Sequence, residues 1–194
     1  MNYYISDLHI GHKNAISFDN RPYNNVYEMD EDIIRRWNSV VKDEDTVYVL
    51  GDMFWCKIPE AIKILDRLKG KKVLIKGNHD RVHDSKFREK FEKITEYLEV
   101  DDNGRKVVLC HYPIVCFKNH YYGWYHLYGH VHSSFEWNMM ENAKRQMNEL
   151  YKKDCNMYNC GAMLDYMNFT PRTLDEIINK NKKFHIDNQY SYML

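Results

Sequence analysis

Apolar residues come in short runs, and two periods alternate along the chain. Residues 3–6, 47–50, 72–76, 106–110 and 126–128 are brief apolar-rich stretches of the length of buried strands. Between the first two, Met29, Ile33, Ile34, Trp37, Val40 and Val41 recur at helical spacing across 26–41. Residues 58–68 repeat the pattern with Ile58, Ala61, Ile62, Leu65 and Leu68, and Gly70 follows as a stop signal. A further helix is predicted over 86–94 and a strand over 97–100, with Asp102-Asn103-Gly104 turning tightly into 106–110. Met139, Met140, Ala143, Met147, Leu150 and Tyr151 form one stripe of a helix over 136–153. That segment reads as a helical insertion whose Met-rich face packs into the core. Residues 158–161 read as a strand and 174–178 as a short helix, capped by Thr173 or begun after Pro171.

Strands alternating with helices predict an α/β fold with helices covering sheet faces. The length, 194 residues, suits a single domain over 1–194. In such sheets ligands bind beyond the carboxyl ends of the strands. The turns at those ends are therefore the places to look for chemistry.

Composition narrows the class. Twenty-eight acids balance 28 bases, so no global field favours nucleic acid. No apolar stretch is long enough to span a membrane. Residues 1–5 enter a strand-like run without a charged region or cleavage site, so no secretory signal is expected. The 5 cysteines are odd in number and form no CxxC pair, which argues against a disulfide framework and a structural zinc knot. Free thiols fit a reducing compartment, and the cytoplasm is the expected location.

Each of the first four apolar strands, and the 126–128 run, is followed by a turn carrying hard donors. The blocks are Asp7-Leu8-His9, Gly51-Asp52, Gly77-Asn78-His79-Asp80, His111, and Gly129-His130-Val131-His132. On an extended segment Asp7 and His9 would point to one side and hold one ion together. Asp52 has two oxygens and can bridge two ions, and Asn78 adds a neutral amide oxygen. His130 and His132 repeat the two-residue spacing, at a turn able to splay them toward different ions. Asp and Asn favour turns for purely local reasons. That reading handles Asp7 or Asn78 alone, but not paired histidines with an aspartate and an asparagine, each at a strand terminus.

The set DxH, GD, GNHD, H and GHxH, in that order, resembles the calcineurin-like metallophosphoesterase superfamily. The resemblance covers residues 3–132 by motif, and 159–177 looks like the closing strand and helix of small bacterial and phage members. It implies a four-layer α/β/β/α sandwich, two facing mixed sheets flanked by helices. It implies two divalent metal ions, manganese first among iron, zinc and nickel. One ion would be held by Asp7, His9, Asp52 and His132. The other would be held by Asp52, Asn78, His111 and His130, with Asp52 bridging. The implied reaction is hydrolysis of a phosphate mono- or diester by a metal-bridging hydroxide. His79 would not ligate but would assist the leaving group, oriented by Asp80 or Asp84.

Departures narrow the branch. The stretch after Gly51-Asp52 lacks the aspartate and arginine of the GDxxDRG found in protein serine/threonine phosphatases. Trp55 stands where purple acid phosphatases place a tyrosine ligand. The chain is also short for the accessory domains of DNA-repair nucleases.

Further candidates for substrate contact are His12, Arg21 and Arg81. The alternatives are a helix-start residue for His12 and surface ion pairs for the arginines. His83, His120 and His126 read as solvated or hydrogen-bonded rather than catalytic, and His185 as remote from the chemistry and not functional. The aromatic cluster at 121–125 suits either core packing or stacking on a base, so a nucleotide substrate is suggested. Two rival readings remain. One is a non-catalytic scaffold on the same fold, which the undamaged motif set disfavours. The other is an amide or lactone hydrolase, whose HxHxDH pattern is absent.

Overall fold

A computed structural model describes residues 1–191, with side chains described through Phe184. His185, read above as remote from the chemistry, lies outside the described side chains. The strands are β1 (Asn2–Ile5), β2 (Thr46–Val49), β3 (Lys71–Ile75), β4 (Lys93–Thr95), β5 (Tyr97–Asp102), β6 (Arg105–Cys110), β7 (Tyr125–Tyr128) and β8 (Asn156–Asn159). The helices are α1 (Lys13–Phe18), α2 (Val26–Val40), α3 (Ile58–Leu65), α4 (Ser85–Arg88), α5 (Phe135–Tyr151) and α6 (Leu174–Ser191).

The strands form two sheets, ordered β1-β2-β3-β4 and β5-β6-β7-β8. With the helices outside them, they make the α/β/β/α arrangement. The first sheet is parallel throughout its strands, with one antiparallel bridge, Tyr4↔Arg172, at the β1 edge. The second is mixed: β5 and β6 make an antiparallel hairpin, while β6, β7 and β8 run parallel. The chain passes from one sheet to the other between β4 and β5, and the Ser6↔Gly161 bridge joins β1 to the end of β8. Tyr4 makes a second link between the sheets from its side chain, its hydroxyl donating to Asp102 at the end of β5 at 3.1 Å.

Why these segments adopt these elements follows from their faces. In α2, Met29, Ile33, Ile34 and Trp37 are buried, and the Asn25 side chain caps the start by accepting from Glu28 N. Trp37 is fully buried yet not orphaned, since its Nε1 donates to Lys69 O at 3.0 Å. α6 opens with a reciprocal cap between Thr173 and Glu176, which settles the start predicted from Thr173. Ile5, Leu8, Val47, Val49, Leu74, Val107, Leu109 and Leu127 are buried in one continuous core. Each such side chain stabilises by about 1.5–3 kcal/mol relative to exposure. That core holds the strand ends still.

Four expectations need correction, the first being the short helix predicted over 174–178, which continues as α6 to Ser191. The helix predicted over 86–94 is one turn, Ser85–Arg88, followed by β4. Phe87 and Phe91 have helical spacing and are both buried, but Lys93–Thr95 finds a better partner in β3. The strand predicted at 158–161 lies two residues earlier, in register with β7. On α5 the buried residues are Trp137 and Met147, whereas Met139 and Leu150 of the predicted stripe are exposed. α1 has only six residues and gave no clear periodic signal.

Candidate metal centre

The five donor blocks follow β1, β2, β3, β6 and β7, all at carboxyl ends. Backbone hydrogen bonds continue past the strand ends and lock the turns together. Asp7 N donates to Gly51 O at 3.0 Å, His9 N to Asp52 O at 3.0 Å, and Gly129 N to His111 O at 2.9 Å. Asp7, His9, Asp52, His130 and His132 all have positive φ, between 47° and 71°. Asp7 and His9 are thus not on an extended segment as expected. They meet because two left-handed residues flank Leu8, whose side chain is buried.

The donors fall into two connected groups. Asp7, His9 and His132 each offer an atom within 4.8 Å of the others, and Asp7, Asp52 and His111 do the same. His9 Nε2 lies 3.3 Å from His132 Nε2, which lies 3.6 Å from Asp7 Oδ1. His111 Nε2 lies 3.6 Å from Asp52 Oδ2 and 3.0 Å from Asn78 Oδ1. His130 Nδ1 approaches the same Asn78 oxygen at 3.0 Å. His130 and His132 splay, one into each group. Asp7 belongs to both groups and Asp52 to one.

The chemistry of this set fits cations. His111 Nδ1 lies 2.7 Å from Leu50 O, so it carries the proton there and presents the bare Nε2 to the amide oxygen of Asn78. Acceptor then faces acceptor, an arrangement that a positive ion resolves. Burial, with His132, Arg21, His12 and His79 adding to it, pushes the His9 imidazole down to about 2, so it is neutral. Burial also opposes charge on His132, but its hydrogen bond with Asp19 and the nearby Asp7 carboxylate win and raise it. Burial raises the Asp7 carboxyl against the pull of His132 and His111. A proton on His132 would relieve one of these contacts; ions would relieve all of them. Two ligand atoms on one ion at about 2.0–2.2 Å lie roughly 3–3.5 Å apart, close to the spacings here.

A surrounding set of polar groups fixes the donors, and the sequence did not announce it. His132 Nδ1 is 2.7 Å from Asp19 Oδ1. Ser6 Oγ donates to Asp7 Oδ2 at 2.6 Å, and the amide of His130 donates to the same oxygen at 3.0 Å. Asn159 Nδ2 donates to His132 O at 2.9 Å. Asp80 is buried, and its carboxylate accepts from the amides of Gly77, Asp52 and Met53 at 2.8–3.0 Å. It clamps the β2 and β3 turns to each other. Only the turn-like GNHD spacing hinted at such a role.

Other sequence candidates take different places. Arg21, read as a phosphate clamp or a surface ion pair, is 4% exposed and turned inward. It donates to the carbonyls of Leu8 and Asp7 at 2.7 and 3.0 Å and pairs with Asp19 at 2.8 Å, leaving nothing for substrate. Arg21 and Asp19 instead brace the Asp7–His9 turn and His132. Arg81 is exposed, and His79 is also exposed, with its amide donating to Asp52 Oδ1 at 2.9 Å. Neither Asp80 nor Asp84 orients the His79 ring. Asp80 is committed to the three amides above, and Asp84 caps α4 through Phe87 N. The His79 ring stands edge-on to Trp55, centroids 4.5 Å apart. His12 is at the N-cap position of α1, and its ring stacks on Trp55 at 4.1 Å and 8°. The helix-start reading of His12 thus describes its position. Tyr121 packs edge-on to Tyr151 at the end of α5, and the 121–125 cluster leads into β7, whose first residue is Tyr125, at the opposite end of that strand from the donors. It does not border the centre.

Comparison with known proteins agrees with the architecture. A family model described as calcineurin-like phosphoesterase matches residues 3–178. An uncharacterised protein of Methanocaldococcus jannaschii is 35% identical over 180 residues, 91% of this chain and 88% of that one. A protein of Mycobacterium phage L5 is 39% identical over 84 residues, 42% of this chain and 40% of its own length. Among solved structures, a protein of unknown function from Aquifex aeolicus aligns with a TM-score of 0.69 and 26% identity, covering 92% of this chain and 98% of that one. Because the matched span takes in both sheets and every strand-end turn that carries a donor, the chain belongs to the calcineurin-like phosphoesterase family.

Proposed function

We propose that this chain, acting as one domain over 1–194, hydrolyses phosphate esters with two divalent ions, manganese being the first choice. The observation that carries the reading is the facing of acceptor toward acceptor at His111, whose Nδ1 is spent on Leu50 O and whose Nε2 meets the oxygen of Asn78 at 3.0 Å, with His130 brought to the same oxygen. Asp7, His9 and His132 would hold one ion, and Asn78, His111 and His130 the other. Asp52 would bridge, as the family resemblance implies, and Asp7 is a member of both groups. Bound ions would supply a nucleophile from water near neutral pH and neutralise charge building on the phosphoryl oxygens. The protein's own part is to hold the donors rigidly and to exclude competing partners from them. His79, exposed at the mouth and held by its amide to Asp52, would give a proton from its ring to the departing alkoxide.

The test is turnover of chromogenic phosphate mono- and diesters by the purified chain loaded with manganese. Hydrolysis that needs the metal supports the reading. No turnover with metal fully bound favours the scaffold. Asp52→Asn should lower activity by several orders of magnitude and weaken metal retention; near-normal turnover in that variant would refute its role as a bridge.

A further inference from the structure

Large aromatic side chains border the centre, and they are left open. Trp55 is 42% exposed, Phe18 53% and Tyr112 46%. Their neighbours are the donor histidines themselves. Phe18 lies 5.8 Å from the His132 ring and edge-on to His9 at 6.3 Å. Trp55 lies 6.0 Å from His9. Tyr112 stands edge-on to His111 at 5.1 Å and to His130 at 4.7 Å. Trp55 and Phe18 therefore flank the His9–His132 group, and Tyr112 flanks the His111–His130 group. Exposed apolar surface beside a reactive centre is costly and marks a binding surface.

Trp55 is also prepared as a platform. His12 stacks on it almost in parallel, which fixes the plane of the indole, and His79 meets it edge-on. Resting on the phosphoesterase reading above, we propose that these rings receive the bases of a nucleotidyl phosphodiester. Trp55, with Phe18, takes the base on the leaving-group side, and Tyr112 takes the group on the other side. The leaving group falls on the Trp55 side because His79, the proton donor of that reading, touches Trp55. An aryl monoester would leave Tyr112 without a partner; a diester between nucleosides carries a flat ring to each side of one phosphorus. Stacking is indifferent to base identity, since every base presents a π-face. The bond broken is the phosphorus–oxygen bond to the leaving nucleoside; water adds to phosphorus and the leaving alkoxide gains the proton.

The test compares two diesters on the manganese-loaded protein: thymidylyl-thymidine, and glycerophosphoethanolamine, which has no ring. The wild type should prefer the dinucleotide. Trp55→Ala and Tyr112→Ala should each reduce the ratio of kcat/KM for the two substrates about ten-fold or more, chiefly through KM. The ratio removes any disturbance of His79 or of metal loading, which would strike both substrates alike. Binding is read separately from turnover by quenching of tryptophan emission with thymidine monophosphate. Trp55→Phe should lose most of that quench although Trp37, Trp124 and Trp137 remain. An unchanged ratio in both alanine variants, or an undiminished quench in Trp55→Phe, overturns the proposal. If the wild type cleaves neither diester yet turns over the chromogenic esters, the dinucleotide proposal falls and the hydrolytic reading stands; if it cleaves none of them, the hydrolytic reading falls and the quench alone decides the stacking.

Discussion

At the residue scale the donors matter less singly than through what holds them. The Asp19 carboxylate touches both His132 Nδ1 and Arg21, and Arg21 in turn grips the carbonyls of Asp7 and Leu8. Asp19→Asn should therefore weaken manganese binding by about 10- to 100-fold, as loss of a partner behind a ligating histidine commonly does. Titration of the metal-free protein measures it, and unchanged affinity would show that His132 needs no such support. Asp80 acts through backbone. Its removal leaves the amides of Gly77, Asp52 and Met53 buried without an acceptor. At about 1–3 kcal/mol for each unsatisfied group, Asp80→Ala should cost at least about 3 kcal/mol of stability in urea denaturation. Asp80→Asn, which keeps one acceptor oxygen, should cost less.

At the element scale, the site is a product of strand ends brought within a side chain's width. Gly129 follows β7 and meets the turn after β1, where an added Cβ would sit 1.7 Å from Ser6 Oγ and 2.5 Å from Asp7 Oδ2. Neither atom can give way freely, because Ser6 Oγ is held between Asp7 Oδ2 at 2.6 Å and Leu50 O at 2.9 Å. Gly129→Ala should destabilise the fold by about 3 kcal/mol, the upper end for overpacking, and lower metal content as Asp7 moves. Thermal unfolding and metal analysis on one preparation check both. Helical periodicity misled at 86–94 for an instructive reason. Phe87 and Phe91 do share a buried side, but the amide of Glu92 donates to Lys72 O and that of Lys76 to Thr95 O. Sheet pairing with β3 won over local preference.

Across the whole molecule, a buried histidine remote from the donors should add to the acid sensitivity that the buried His9 brings to the metal-free protein. His126 is fully buried; its Nδ1 is 3.0 Å from Val108 O and its Nε2 accepts from Ile114 N at 3.0 Å. Burial pushes this imidazole down to about 4 from 6.5. The unfolded chain then binds the proton more readily. Stability present above pH 6.5 is lost progressively as pH falls toward 4, by an amount on the order of 3 kcal/mol. Urea midpoints of the metal-free protein should decline over that window, and His126→Gln should decline less steeply. A parallel decline in both would assign the acid sensitivity to other groups.

Much of this was legible without coordinates. Apolar runs ending in Asp, Asn and His put the donors at strand ends, because strand length and turn chemistry are local properties of the sequence. The inward turn of Arg21, the commitment of Asp80 to backbone, the sharing of Asp7 by both donor groups and the Trp55–His12 stack were not legible. Each depends on atoms far apart in the chain, as with Asp19 and His132, or on left-handed backbone at Asp and His residues that no glycine marks. The order of residues supplied the chemical groups; only the closure of two sheets against each other chose which of them meet.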